Sequence, residues 1–467
     1  MEEKRKKKLQ KEVTNQHMGI KCDVDFQLMV EEEQSKVKEA QKHKIPDLSK
    51  INIWVRKRPL FQKEATKGEI DIVSWTNPAI IVHKCKYKVD AITKYIDNDG
   101  FEFDNTFSEY ESSDNVYYNS IQPQIDFLFD GGIVTCFAYG QTGSGKTFTM
   151  EGVQKLAVND FFAGAEIMKQ ETGRLYTFTV SYFEIYNGKI FDLLDNHTQK
   201  KVQEDREGSI QIPGLKEVQA RTADEMDQLI EYGLSERKTK STACNDTSSR
   251  SHAIGTISIK EIDEQERVID QSGKLLLVDL AGSEKAQDSQ SNIKQRRIEG
   301  AEINTSLLSL KECIRAMETN KKHIPFRQSK LTMVLRDSFI GGSDKNHVIM
   351  IAWISPSQSS SDHTLNTLRY AERLKESPDE ENIVDKYVLS KPILKNDENF
   401  LYEEEEEDED SIINESNEKQ SDENEYEFKE DPRLYQSQDF SLSTDSNMLK
   451  DLKQEQIIQQ EQPIHLK

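Results

Sequence analysis

Gly140-Gln141-Thr142-Gly143-Ser144-Gly145-Lys146-Thr147 is the stretch on which the reading of this chain turns. The apolar, β-branched run Ile133-Val-Thr-Cys-Phe-Ala-Tyr139 precedes it, and a helix start follows. A strand, a glycine-rich loop and a helix in that order make the G-x-x-x-x-G-K-[ST] phosphate cradle. Its glycines let successive backbone N–H groups curl around an anion, and the helix N-terminus adds a partial positive charge. Lys146 then reaches the β- and γ-phosphates, and the Thr147 hydroxyl takes a position on Mg2+. Without the preceding strand, the same eight residues would be a Gly/Ser-rich turn.

Working outward, Tyr176 to Tyr186 and Ile254 to Lys260 read as strands, as do Ile51 to Val55 and Val348 to Ile354. Lys274-Leu-Leu-Leu-Val-Asp279 is a continuous apolar run ending in an acid, the form of a buried parallel strand that presents a carboxylate to Mg2+. Strands interleaved with helical stretches predict an α/β fold, with a central, mostly parallel sheet and helices on both faces. The β-rich stretches Ala79–Val89 and Phe101–Phe107 have a connector region carrying Lys84, Lys86 and Lys88 and then Asp90 and Lys94, which predicts an extended hairpin with a basic tip. Two further loops carry groups suited to sensing a γ-phosphate. They are Asn245-Asp-Thr-Ser248-Ser249-Arg250-Ser251-His252 and Asp279-Leu-Ala-Gly282-Ser-Glu284. Hydroxyls suit phosphate and Mg2+, Asp279 an Mg2+-bound water, and the Gly282 N–H the γ-phosphate. Arg250 and Glu284 are suited to an ion pair closing the pocket.

Composition divides the chain. Of 467 residues, 35% are hydrophobic and 31% charged, with net charge −22. From Ser377 onward there are 27 acidic and 9 basic residues, about −18 of that total, so the rest is near neutral and an acidic partner stays open to it. The expected organisation is a charged, neck-like segment over 1–49, a folded domain over 50–376 and an acidic tail over 377–467. Disorder is expected in the tail, with its Glu403–Asp410 run, and a marginal helix or disorder at the N-terminus. The cluster Lys4-Arg5-Lys6-Lys7-Lys8 reads as a solvated end, a nuclear import signal or a handle for an acidic surface. Five scattered cysteines without C-x-x-C spacing argue against a disulfide framework or a zinc site and point to a reducing compartment. No apolar run approaches 18 residues and no signal-peptide core is present, so a cytoplasmic protein without a membrane partner is expected.

Taken in order, these motifs resemble those of the kinesin motor family over roughly Ile51 to Glu376. Arg56-x-Arg58-Pro59, the glycine-rich loop, Asn-x-x-Ser-Ser-Arg-Ser-His and Asp-Leu-Ala-Gly-Ser-Glu all fall in the family's sequence. So do His323-Ile-Pro-Phe-Arg327-Gln-Ser-Lys330-Leu-Thr and Thr364-Leu-Asn-Thr-Leu-Arg-Tyr-Ala371. The resemblance implies a P-loop NTPase that uses ATP with Mg2+ and binds tubulin, not nucleic acid, on the microtubule cytoskeleton. It places Arg56, Arg58 and Pro59 at the adenine, with Phe148 beside it where a histidine is frequent. Ser248 and Ser249 would act on phosphate and Mg2+, and Glu284 with Arg250 would align the attacking water. Asn304 falls on the switch-linked helix, where Thr305 replaces the family's lysine.

Within the family, several details resemble the internal-motor class, class thirteen, which removes tubulin from microtubule ends. They are Val55-Arg-Lys-Arg-Pro-Leu60, Lys88-Val89-Asp90 at the hairpin tip, and Lys311-Glu312-Cys313-Ile-Arg315-Ala on the tubulin-facing helix. At 100° per residue, Ile303, Leu307, Leu310, Ile314 and Met317 share one helix face suited to the core. Glu312, Arg315 and Leu308 fall opposite, with Lys311 on the flank. Lys88, Lys311, Arg315, Arg327, Lys330 and Arg336 are the cations expected to meet acidic tubulin. A translocating kinesin would need a neck linker and a coiled coil, and no a/d heptads run for three or four repeats. A non-catalytic tubulin-binding protein is the other alternative, and the intact nucleotide motifs argue against it.

Overall fold

The computed structural model describes residues 2–45, 51–206, 208, 210–243, 247–284, 294–319, 321, 323–340 and 345–375. The acidic run Glu403–Asp410, Pro46, Asn245 and Asp246 lie outside them. In chain order the helices are α1 Glu2–Met18, α2 Val24–Gln34, α3 Gln62–Thr66, α4 Ser113–Ser120, α5 Ile125–Phe129, α6 Lys146–Thr172, α7 Ala223–Ala243, α8 Lys294–Glu318, α9 Lys330–Val334 and α10 Ser361–Lys375. The strands begin with β1 Asn52–Lys57, β2 Val73–Thr76, β3 Ala79–Tyr87, β4 Lys94–Glu102, β5 Asn105–Phe107, β6 Ile133–Gly140, β7 Leu175–Tyr186 and β8 Lys189–Asp192. They continue with β9 Thr198–Lys200, β10 Gln203–Glu204, β11 Ile210–Gln211, β12 Val218–Ala220, β13 His252–Ile262, β14 Val268–Asp279 and β15 Asn346–Ile354.

The main sheet runs β5-β1-β15-β6-β14-β13-β7-β8-β9, with β12 added beside β7. From β5 to β14 every pairing is parallel, and beyond β14 every pairing is antiparallel. The expected parallel centre is therefore present, and the sheet gains an antiparallel flank that joins β13 to β14 as a long hairpin. The strand before the glycine-rich loop, β6, lies between β14 and β15, with Ala138 opposite Asp279 and Gly140 opposite Trp353. Parallel strands release their loops at the same edge, and ligands of open α/β sheets bind there.

Strand alternation sends side chains to two cores. Ile53, Val55, Phe137, Tyr139, Met350 and Ala352 face one core, which α8, α9 and α10 complete through Leu307, Ile314, Leu331, Leu365 and Leu368. Trp54, Cys136, Ala138, Ile349 and Ile351 face the other, which α4, α6 and α7 complete through Tyr117, Val153, Phe161 and Met226. The first core also takes in Phe26 and Val30 of α2, which are 3% and 1% exposed. The N-terminal segment thus forms two helices and docks one of them. Asp23 caps α2 by accepting from the Asp25 and Phe26 N–H groups, the usual remedy for unpaired donors at a helix start.

The sequence between residues 79 and 102 forms a continuous hairpin, with β4 beginning at Lys94. Together with β2 it makes a separate three-stranded sheet. Its lysines are largely paired: Lys84 with Asp97 and Asp99, Lys86 with Asp97, and Lys94 with Asp23 and Asp25. The expected basic tip is therefore narrower than the residue count suggests, because β4 supplies a carboxylate for most of the ammonium groups on β3.

Candidate functional site

The loop after β6 adopts the backbone that its glycines permit, with φ of 149° at Gly140, 77° at Gly143 and 99° at Gly145. A Cβ on Gly140 would sit 2.3 Å from the Trp353 carbonyl oxygen, so the neighbouring strand itself enforces glycine there. Gly145 is the N-cap of α6, which runs for 27 residues to a left-handed glycine, Gly173. Lys146 is buried and donates to the Gly140 and Gln141 carbonyls at 2.8 and 3.0 Å. Burial lowers its pKa, opposed by the charges of Asp279 and Glu284. Ser144 folds back onto the Gln141 carbonyl at 2.8 Å, and Thr147 is exposed at the rim.

Two adjoining cavities meet at Gly145 and Phe148. One, of about 320 Å3, is lined by Thr142, Lys146, Thr147, Arg237, Ser249, Asp279 and Gly282. The other, of about 990 Å3, is lined by Arg56, Arg58, Pro59, Phe148, Thr149 and Trp353 among others. Phe148 is 73% exposed, an aromatic face open to a flat ring. Arg56 is buried and tied to Thr149 Oγ1 at 2.7 Å and to the Glu111 carbonyl at 2.7 Å. Arg58 pairs with both Glu64 oxygens at 2.8 and 2.6 Å and lies 4.3 Å over the Phe61 ring. Both arginines therefore shape the cleft wall from behind.

The two sensing loops close on one another differently from the sequence expectation. Arg250 pairs with Glu299 of α8 at 3.5 Å, while Glu284 accepts from the Thr142 N–H at 2.9 Å and from the Thr142 hydroxyl. The expected Arg250–Glu284 pair is absent among the described contacts of Arg250, because each partner has a nearer counter-group. The Gly282 N–H donates to the Ser249 carbonyl at 2.8 Å, which fastens the loops to each other. Ser249 is buried beside the cavity, and Asn304 is exposed on α8. Ser248 belongs to the short 3-10 turn Thr247–Arg250, but its side chain lies outside the described residues.

Sequence reasoning missed the support behind these loops. Arg237 of α7 is 5% exposed and donates to Asp279 Oδ2 at 2.6 Å and to the Ser251 carbonyl at 2.9 Å. Glu184 of β7 accepts from the Ser251 hydroxyl at 2.7 Å, contacts His197 Nε2 at 2.7 Å and faces Arg237 at 3.9 Å. His252 accepts from the Ala281 N–H at Nδ1, which leaves the proton on Nε2 to donate to Ser306 Oγ at 2.8 Å. Burial and the Arg237 charge push its pKa down to about 3. Arg237 stands in the run Glu236-Arg237-Lys238, which reads as a solvated helix face, so only its burial reveals its role.

Observations in the cavity fit Mg2+ and a nucleotide polyphosphate. Asp279 Oδ1 is buried with no hydrogen-bond partner, an acceptor left for a metal-bound water. Thr147 and Ser249 place hydroxyls on the same cavity as Lys146.

The outer surfaces divide the expected partner residues. Val89 is fully exposed at the hairpin tip, and Lys88 is exposed beside it. Asp90 closes the turn, accepting from the Ile92 and Thr93 N–H groups at 2.9 and 2.8 Å and from the Thr93 hydroxyl at 2.5 Å. These bonds, the Thr93 hydroxyl foremost, lower its carboxyl pKa to about 2. Glu312 and Arg315 are half-buried on the side of α8 opposite Leu310 and Ile314, and Lys311 is half-buried on the flank between. Cys313 is a correction: it is 0% exposed in the core, and burial pushes its thiol up to about 12. One helical position beyond Glu312 turns its side chain inward, so it has no surface to offer a partner. Arg327 is engaged by Glu204 at 3.1 and 2.5 Å, Arg336 is half-buried beside Asp337 at 3.3 Å, and Lys330 is exposed.

A family model described as the kinesin motor domain matches residues 56–377. Kinesin-like protein KIN-13B of Arabidopsis thaliana is 46% identical over 338 residues, which is 72% of this chain and 48% of the relative. Diatom spindle kinesin-1 of Cylindrotheca fusiformis is 42% identical over 387 residues, 80% of this chain and 60% of the relative. Kinesin-like protein KIF24 of Mus musculus is 44% identical over 337 residues, 71% of this chain and 24% of the relative. The matches thus span between a quarter and three-fifths of these relatives.

Proposed function

The chain belongs to the kinesin motor family, and from that premise we propose that it is a microtubule-stimulated ATPase that shortens microtubules from their ends. The observation that carries the end-shortening reading is the exposed Lys88-Val89 pair on a long hairpin whose turn Asp90 locks. Similarity to KIN-13B supports it.

Bound Mg2+·ATP would supply an electrophilic γ-phosphorus and partial neutralisation of its charge. Lys146 counters the β/γ-phosphate charge from a buried position, where electrostatic stabilisation is strong. Thr147, Ser249 and Asp279 would hold the Mg2+, the last through a metal-bound water. Glu284 and Arg250 would orient the attacking water, which requires Glu284 to leave Thr142 and Arg250 to leave Glu299 when the nucleotide binds. Phe148 lies against the base, and Arg56 and Arg58 keep the cleft wall in place. On the outside, the hairpin tip and the α8 face with Lys311 and Arg315 engage tubulin. They shift it towards the curved form only to the extent that they bind that form more tightly.

Imaging of stabilised microtubules with the full chain and ATP tests the reading. Shortening from the ends is expected. Directed movement would indicate a translocating motor, and static decoration without ATP turnover a non-catalytic binder.

A further inference from the structure

The hairpin that carries Lys88 and Val89 is not self-supporting. β2 pairs with β3 only from Val73 opposite Val82 to Thr76 opposite Ala79. From Lys84 to Tyr87, the ladder of β3 is with β4 alone, as a two-stranded ribbon. Such ribbons are marginal in water unless one face packs against something. Alternation places Cys85, Tyr87, Lys94, Ile96 and Asn98 on one face.

α2 covers that face along its length. Phe26 meets the Tyr87 ring edge-on, with centroids 5.3 Å apart. Lys94 Nζ donates to Asp23 at 2.7 and 2.6 Å and to Asp25 at 3.2 Å, and lies 5.1 Å over the Phe26 ring. Asn98 Nδ2 donates to Glu33 at 2.9 Å. Cys22, Cys85 and Ile96 pack against the core that Phe26 and Val30 enter. α1 fastens α2 from outside through Lys8–Asp25 at 2.7 Å and Lys11–Glu31 at 2.5 Å. The turn above is locked by Asp90, so the posture of the tip follows the posture of the ribbon.

We propose that α2 is a positioning element for the hairpin tip: Phe26, helped by the Lys94–Asp23/Asp25 pairs, holds the distal ribbon and so fixes where Lys88 and Val89 are presented. The proposal rests on the hairpin being the tubulin-engaging element. Phe26 carries more of the brace than the ion pairs, because it is buried while the carboxylates are partly exposed and screened.

The experiment uses the full chain and two readouts. Amide hydrogen exchange is measured without tubulin, and end-shortening with stabilised microtubules and ATP. Phe26→Ala should speed exchange of amides between Cys85 and Ile96 by roughly tenfold or more, with exchange in β6, β14 and β15 and ATP turnover without microtubules unchanged. End-shortening should fall several-fold, and Phe26→Leu should restore most of both. Lys94→Ala should give a smaller change that high salt reproduces in the parent chain. If Phe26→Ala loosens the whole domain, Lys94→Ala decides the matter. Ribbon exchange unchanged in Lys94→Ala in that case, or in Phe26→Ala where the rest of the domain holds, overturns the brace whatever the microtubule assay gives. A parent chain that fails to shorten microtubules overturns the functional reading instead, and the exchange comparison still decides the brace.

Discussion

In the nucleotide cleft, charged side chains are buried and bonded to one another; on the hairpin tip and the outer face of α8, similar side chains stand partly or wholly in water. Arg237 bonds Asp279 and faces Glu184, and Lys146 bonds the Gly140 and Gln141 carbonyls, in a medium where an unpaired charge is expensive. Lys88, Lys311 and Arg315 sit where an ion pair is worth about 0–1 kcal/mol before a partner arrives. Single changes in the cleft should therefore have large, nearly all-or-none effects. Changes on the outer surface should be graded and dependent on salt.

The largest expected effects break the cleft. Lys146→Ala should lower ATP turnover by about 10²–10³-fold or more, measured as phosphate release, because the phosphates lose a preorganised countercharge. Glu284→Ala should retain binding of a fluorescent nucleotide while single-turnover hydrolysis falls by about 10²–10⁴-fold. Normal hydrolysis in that variant would remove Glu284 from the water-aligning role.

Arg237→Ala tests whether the support behind the loops is as tightly coupled as its geometry indicates. It strips a buried partner from Asp279 and faces Glu184 with an uncompensated charge, so a loss of about 3–5 kcal/mol in denaturant unfolding is expected. A loss below 1 kcal/mol would place the network among the weak surface pairs.

His252 gives the cleft a pH signature. Its folded pKa, about 3, lies below the ordinary imidazole value of 6.5, so the unfolded chain binds the extra proton first as pH falls. Its contribution is fully present above pH 6.5 and is lost progressively as pH drops towards 3. His252→Asn should flatten the stability profile across that window, measured by unfolding midpoints at several pH values.

The outer surface should show the smallest single effects. Lys311→Ala and Arg315→Ala should each raise the microtubule KM of the ATPase several-fold at low salt, with the gap closing as salt rises. A gap that persists at high salt would mean that these residues act through packing on α8 instead of charge.

Particular residues show why one region was more legible than the other. Local spacing dictates the glycine-rich loop, because only glycine tolerates the backbone at Gly140 and only a strand followed by a helix can aim the N–H groups. The core face of α8 was equally plain, and Ile303, Leu307, Leu310 and Ile314 are all buried. Cys313 was misread because a six-residue match was taken as one surface, whereas the helix turns it inward between Glu312 and Ile314. The hairpin lysines were overcounted because sequence places Lys84 and Asp97 thirteen residues apart, and only strand register sets them opposite one another.

The sequence by itself determined the phosphate cradle, the Asp279 strand, the α/β class and the hairpin, all of which rest on local spacing and periodicity. Tertiary structure alone decided the partners of the charges. It set Arg237 against Asp279, Arg250 against Glu299 and Glu284 against Thr142, and it laid α2 along the ribbon. The physical reason is range. Backbone conformation is fixed by neighbours a few residues away, whereas a buried charge is satisfied by whichever group the packed elements bring within about 3 Å.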